Sequence, residues 1–158
     1  MKELKFNKDM AKAVALGIKT QTRRPVKGFE VRSSMPEPEW ASLIRCCPYG
    51  KVGDRLQIAK PITWGEYVLA CSETGRRPNP MIDLQITDIS IEKLQDISED
   101  DCFKEGIDYY EYGCGWMADT WGWQRDPVDA FNALWESIYG NGSWDKNPYV
   151  WVIKFRVI

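Results

Sequence analysis

The sequence predicts an α+β domain, a curled sheet or small barrel with short helices attached. Three observations predict it. Residues 81–91 alternate apolar and polar side chains at the period of two that a half-buried strand requires, and 148–158 places Val150, Val152, Phe155 and Val157 along a second such strand. Three other stretches open on a capping residue and close at or near a glycine, as short helices do. The 158 residues carry no internal repeat and no low-complexity segment, which suits one domain spanning 1–158 with a core of its own.

Leu4, Lys5 and Phe6 are a short strand candidate. Asn7 then stands as an N-cap, since its short side chain can accept from the free amides that open a helix over 8–16. Met10, Ala13 and Val14 fall at helical spacing on that helix, and Gly17 takes the C-terminal position where a positive φ is needed. Residues 19–22 leave as extended chain, which two β-branched threonines favour, and Pro25 discourages helix at Arg24. Residues 35–39 read as a loop and 40–47 as a short strand or turn. Residues 48–54 are a tight connection feeding a strand over 55–59, with a further strand over 65–71 and a basic loop over 75–80.

The central strand is 81–91, where Ile82, Leu84, Ile86 and Ile89 are apolar and a slip near Asp88 suits a bulge. Ser98 caps a helix over 99–105 that ends at Gly106, with Asp100 and Asp101 in the first turn where the helix dipole favours them. Residues 109–125 hold Tyr109, Tyr110, Tyr112, Trp116, Trp121 and Trp123, and read either as a lid packed on its own aromatics or as a base-stacking surface. Asp126 and Pro127 open the last helix, whose stripe of Val128, Phe131, Leu134, Trp135 and Ile138 reads as core. Val150, Val152, Phe155 and Val157 mark the closing strand.

Composition removes several chemistries. The formal net charge is −2, from 21 basic and 23 acidic side chains, so a nucleic acid would have to bind through a local patch and not through a field over the whole surface. There is no histidine, which removes imidazole bases, Ser-His and Cys-His nucleophile pairs and His-ligated metals. The five cysteines lack paired C-x-x-C spacing, which argues against zinc and against a disulfide framework. The expectation is a reduced, cytoplasmic protein with no metal, no cofactor and no membrane partner, since no apolar signal core or run of about 20 apolar residues occurs.

The chemistry concentrates in Gly17-Ile18-Lys19-Thr20-Gln21-Thr22-Arg23-Arg24. These eight residues supply an amine, an amide, two hydroxyls and two guanidiniums, enough to hold a polyanion, position a base, or do both. The same residues also suit a solvated basic loop.

Further pieces run in order along nearly the whole chain. Cys47-Pro48-Tyr49-Gly50 is followed by Gly53-Asp54-Arg55-Leu56, then Ile86-Thr87-Asp88, then Glu92-Lys93-Leu94-Gln95-Asp96-Ile97 and Glu105-Gly106-Ile107. Leu134-Trp135-Glu136-Ser137-Ile138, Gly142-Ser143-Trp144-Asp145, Asn147-Pro148 and Val150-Trp151-Val152 complete the set. With the 17–24 stretch they make the chain resemble the ASCH-domain family of the PUA-like superfamily, and especially the ASCH proteins of phages and prophages.

The resemblance implies a PUA-like small β-barrel with attached short helices, and RNA or a modified nucleoside as partner in a bacterial host cytoplasm. A host protein is the other partner a phage origin would suggest, and the oligomeric state is left open. One branch of the family consists of amidohydrolases that remove the acetyl group of N4-acetylcytidine; other members are described as ribonucleases or as RNA-binding modules. That branch uses a lysine two residues past a glycine, a threonine three residues after it, and a glutamate on a later helix. Lys19, Thr22 and Glu105 match those positions. The chain departs from many phage relatives at Gln57-Ile58-Ala59-Lys60-Pro61, where they carry Trp, Arg and Glu, and over 76–81, where a tryptophan is missing.

Three readings therefore stand: an amidohydrolase, a non-catalytic RNA-binding module, or a metal-independent ribonuclease. For the first, Thr22 is the nucleophile, Lys19 the base and Glu105 the group that protonates the leaving nitrogen. Lys19 must then have a depressed pKa, and burial and the nearby arginines lower it while Glu105 raises it, so the sign stays open. In a regular strand Lys19 and Thr22 point to opposite faces, and convergence needs a bend after Gly17. For ligand contact the candidates are Gln21, Arg23, Arg24, Arg76, Arg77, Trp121 and Trp123, the cations for phosphate and the indoles for stacking.

Overall fold

One strand organises the computed structural model, which describes residues 2–28, 34–60, 66, 69, 71–73, 75, 81–110, 115–117 and 126–158. Strand β7 (Tyr149–Val157) pairs on both edges and is buried on both faces over Val150, Trp151, Val152 and Ile153. The elements run β1 (Lys2–Glu3), α1 (Lys8–Ala15), β2 (Gln21–Pro25), α2 (Glu37–Arg45), β3 (Arg55–Ala59), β4 (Met81–Lys93), a 3-10 turn (Leu94–Asp96), α3 (Glu99–Lys104), β5 (Asp108–Tyr110), β6 (Gly115–Met117), α4 (Pro127–Tyr139) and β7.

The main sheet has the order β1-β3-β4-β7-β2. Its β1–β3 contact is parallel and the rest are antiparallel. It curls into a half-barrel to which the short helices are attached, so the α+β expectation is met. The long β4–β7 ladder slips between Ile86 and Asp88, where the alternation in the sequence also slips.

The two faces of β7 feed two cores. Trp151, Ile153 and Phe155 join Leu4, Val14, Leu43, Ile58 and Leu84 on one side. Val150 and Val152 join Met10, Cys102, Phe131, Leu134 and Trp135 on the other. Phe6 packs against both and so marks the seam between them. With apolar residues at consecutive positions, β7 is the strand whose period-two signal is least informative about which face is buried.

The capping expectations hold. Asn7 accepts from the Met10 amide at 2.8 Å, Ser98 from that of Asp101 at 3.1 Å and Asp126 from that of Val128 at 2.7 Å. Other expectations are corrected. Residues 40–47 are not a strand or turn but mostly belong to α2, which starts with a proline in its first turn, where no amide partner is needed, and continues through Ala41, Leu43 and Ile44 without a breaker. In 65–71 and just beyond, the described residues Glu66, Leu69 and 71–73 are helical. The first strand lies at Lys2–Glu3, ahead of residues 4–6, although the Leu4 amide still bonds the Gln57 carbonyl at 2.9 Å. Part of the aromatic 109–125 stretch forms the antiparallel pair β5–β6. Among the described residues no helix is long and apolar enough to cross a membrane.

Candidate functional site

The bend that Gly17 permits is present, and it decides where Lys19 goes. Gly17 has φ +74°, and both the Ile18 and Lys19 amides return to the Ala13 carbonyl. The Thr20 amide then bonds the Lys104 carbonyl at 2.9 Å, which ties this turn to the end of α3. Regular β2 begins only at Gln21, so strand alternation does not extend back to Lys19. Lys19 and Thr22 consequently line one cavity, and Glu105 lines it with them.

Glu105 is the C-cap of α3 and, like Lys19, is almost fully buried. The Lys19 ammonium donates to Oε2 of Glu105 at 2.7 Å and to its backbone carbonyl at 2.7 Å. Gly106 ends α3 beside Lys19 at φ +95°, which a side chain rarely adopts; a Cβ there would make only an ordinary contact, 3.4 Å from Cβ of Lys19. Gly106→Ala is expected to cost about 1–3 kcal/mol through the strained φ alone, read from a urea midpoint.

The cavity has a volume of about 380 Å³, within the roughly 300–1,000 Å³ of small-molecule sites. Its polar end holds Lys19, Thr22, Arg24 and Glu105. Its apolar wall is the face of α4, with Phe131, Leu134, Trp135 and Tyr139; Phe6 and Met10 extend it, and Arg23 borders the cavity too, beside Lys5 and Asn7. The Trp135 and Tyr139 rings lie 4.2 Å apart, centre to centre. The stripe on α4 is thus core along Phe131, Leu134 and Trp135 and cavity wall at the same time, while Ile138, which also lines the cavity, is 54% exposed.

Arg24 does not point outward. Nη1 donates to Oγ1 of Thr22 at 2.7 Å and to the Arg23 carbonyl at 2.9 Å, and Nη2 donates to the Lys5 carbonyl at 2.9 Å. Its guanidinium lies 5.2 Å from the centre of the Phe6 ring, and the Lys19 ammonium lies 5.5 Å from it, so both cations rest against one aromatic ring. Thr22 Oγ1 therefore already accepts a charged hydrogen bond, and its own proton is free to be given away.

Arg23, expected at a phosphate, is instead sunk among carboxylates. Its side chain has no exposed surface. Nη1 donates to Oε1 of Glu105 at 2.9 Å, Nε to Oε1 of Glu92 at 2.9 Å, and Nη2 to Glu92 and to Oδ2 of Asp101 at 3.0 Å. Gln21 is also fully buried and does not line the cavity; its Nε2 donates to the Asp101 carbonyl at 3.2 Å while Oε1 has no partner. That carbonyl also accepts from the Glu105 amide, so Gln21→Met leaves it satisfied and removes an orphaned acceptor. The expected change in stability is under about 1 kcal/mol in a denaturant titration. Arg76, Arg77, Trp121 and Trp123 lie outside the described residues.

The structure answers the sign question left by the sequence. Burial holds the Lys19 amine below its ordinary range; the charge and hydrogen bond of Glu105 oppose this, and Arg24 and Arg23 add to it. Burial alone would lower the Arg23 pKa, but Glu105 and Glu92 raise it above its usual value. Burial pulls Asp101 upward, yet the hydrogen bond and charge of Arg23 hold it below the usual carboxylate range. Burial pushes the Cys102 thiol up to about 12, which leaves it unreactive. Among the described residues no group of three or more Cys, Asp or Glu side chains is arranged to hold a metal ion.

Sequence reasoning missed Phe6, Glu92, Asp101 and Tyr139. Asp101 reads from the sequence only as a helix-dipole residue. Nothing local in the sequence marks Glu92, which reaches Arg23 because β4 and β2 both flank β7.

No family model matches the chain, and no curated protein matches it significantly. A crystal structure of a DUF984-family protein from Enterococcus faecalis overlays with a TM-score of 0.51 at 11% identity, covering 100% of this chain and 80% of that one. An ASCH domain from Lactobacillus crispatus overlays with a TM-score of 0.44 at 15% identity, covering 94% of this chain and 69% of that one, a likeness too loose to carry an argument. What the first likeness shows is the fold: a curled sheet with short helices, shared with a protein of that family.

Proposed function

We propose that this cavity hydrolyses the exocyclic amide of an N4-acylated cytosine, as a nucleoside or a base in RNA. The observation that carries the reading is the convergence of a buried amine, a hydroxyl and a buried carboxylate on one cavity beside an aromatic wall. The resemblance to the amidohydrolase branch of the ASCH family at Lys19, Thr22 and Glu105 supports it.

The chemistry follows from the contacts. The pyrimidine lies against the α4 wall, with the acyl carbonyl at the polar end. Neutral Lys19 takes the Thr22 proton as Oγ1 attacks the carbonyl carbon. The guanidinium of Arg24, already donating to Oγ1 at 2.7 Å, eases the loss of the Thr22 proton, and as the new C–O bond forms the negative charge passes to the acyl oxygen. The C–N bond then breaks, and the proton held by Lys19 passes to the leaving nitrogen, directly or through Glu105, which is 2.7 Å from the amine. Water next attacks the Thr22 ester with Lys19 again as base, releasing a carboxylic acid and free Thr22.

The test is turnover of N4-acetylcytidine by wild type, Lys19→Ala, Thr22→Ala and Glu105→Gln. Wild type is expected to release cytidine and acetate, and Thr22→Ala is expected to lose at least about 10³-fold in kcat/KM. Turnover surviving all three changes removes the trio. A wild type with no turnover but with salt-sensitive oligonucleotide affinity would favour the RNA-binding module.

A further inference from the structure

Arg23 poses a question that ligand binding does not answer. It occupies the strand position after Thr22, and its donors go to three carboxylates inside the protein. We propose that Arg23 is a positioning residue that keeps Lys19 able to act as a base, by holding one oxygen of Glu105 and drawing off the surrounding negative charge. The inference rests on the amidohydrolase reading of the same site.

The charges around Lys19 make the case. From α3 it faces Glu105, with Asp101 one turn earlier and Lys104 beside Asp101 at 3.6 Å. From β2 it faces Arg23 and Arg24, and from the segment before α1 the Phe6 ring; Tyr139 on α4 lines the same cavity, and its hydroxyl is held above its ordinary pKa first by burial. Glu92 on β4 completes the set through Arg23. With Lys19 protonated, the inner charges balance: Lys19, Arg23 and Arg24 against Glu92, Asp101 and Glu105. Without Arg23 two cations would face three carboxylates, and the excess would hold the ammonium in place. Glu105 would also have only Lys19 left to bind, where now its Oε1 belongs to Arg23 at 2.9 Å and only Oε2 belongs to Lys19.

Arginine suits this task where lysine would not. The planar fork reaches three carboxylates at once and stays charged, whereas a buried ammonium would reach fewer and would itself give up its proton. The depressed Lys19 pKa, to which Arg23 contributes directly, points the same way.

The experiment is the pH dependence of kcat/KM on N4-acetylcytidine for wild type, Arg23→Gln, Arg23→Lys and Glu92→Gln. Arg23→Gln is expected to move the ascending limb to higher pH, so that the rate at pH 7 falls roughly tenfold and recovers toward wild type as pH rises. Arg23→Lys falls between the two. Glu92→Gln removes negative charge from the partly exposed edge of the cluster and moves the limb to lower pH, raising the rate on its acid side by about two- to fivefold. Should Arg23→Gln not fold, the opposite displacement in Glu92→Gln decides alone. A limb unmoved in Glu92→Gln, or a loss in Arg23→Gln that is equal at every pH, overturns the inference and leaves the amidohydrolase reading standing. A wild type without turnover overturns both.

Discussion

Lys19→Met is expected to lower kcat/KM on N4-acetylcytidine by at least about 10³-fold, and to lack the rise in folding stability with pH that is expected of wild type. The first effect follows because methionine keeps the length of the side chain and loses the amine in the cavity that can accept the Thr22 proton. Arg24 cannot replace it, since a guanidinium does not give up its proton in a protein. The second effect is a matter of sign. Burial places the Lys19 pKa in the folded chain below its ordinary value of 10.5. Between those two pH values the unfolded chain binds the proton and the folded chain does not, so stability rises with pH across that window, by at most about 1.4 kcal/mol per pH unit. Below the folded pKa both states carry the proton and the slope vanishes. Urea midpoints for wild type and Lys19→Met through the alkaline range give the comparison. The same titration should set the ascending limb of the pH–rate profile, and a limb at the ordinary lysine value would mean that another group is the base.

How much of this was legible in the sequence depends on whether the signal was local. Asn7, Ser98 and Asp126 each cap the helix they announce, because a cap is made by residues two or three apart. The slip at Asp88 is visible because a bulge breaks the alternation where it occurs. Residues 40–47 mislead because Trp, Leu, Ile and Cys suit a strand as well as a buried helix, and the run is too short for periodicity to separate them.

Within the site, Lys19 and Thr22 stand out by their spacing from Gly17, but their convergence does not. It depends on β2 starting at Gln21, which is fixed by pairing with Lys154 across the sheet. Arg23 shows the limit most clearly. Next to Arg24 in a basic run it reads as a phosphate ligand, and its true partners are 69 to 82 residues away. A charged residue in sequence carries no mark of whether its counter-charge is solvent, ligand or protein.

That placement makes Arg23→Met the substitution with the largest expected effect on folding, about 3–5 kcal/mol of lost stability near neutral pH. The cost lies less in the missing hydrogen bonds than in the carboxylates that stay behind. Glu105 is buried and would keep Lys19 alone, and Glu92 and Asp101 would lose the guanidinium that offsets their removal from water. If this is the mechanism, removing a stranded carboxylate should return part of the loss. The double variant Arg23→Met with Glu92→Gln is therefore expected to be more stable than Arg23→Met alone, although Glu92→Gln by itself destabilises. Acid provides the second arm. Arg23 holds the Asp101 pKa down, so in wild type this pairing stabilises the fold above the ordinary aspartate range and is lost as pH falls through the lowered value. In Arg23→Met that acid-side loss should shrink, and the two denaturation curves should draw together as pH falls. Additive costs in the double variant, with curves that stay parallel in acid, would mean that Arg23 contributes packing and not charge, and the electrostatic account of the whole cluster would fall with it.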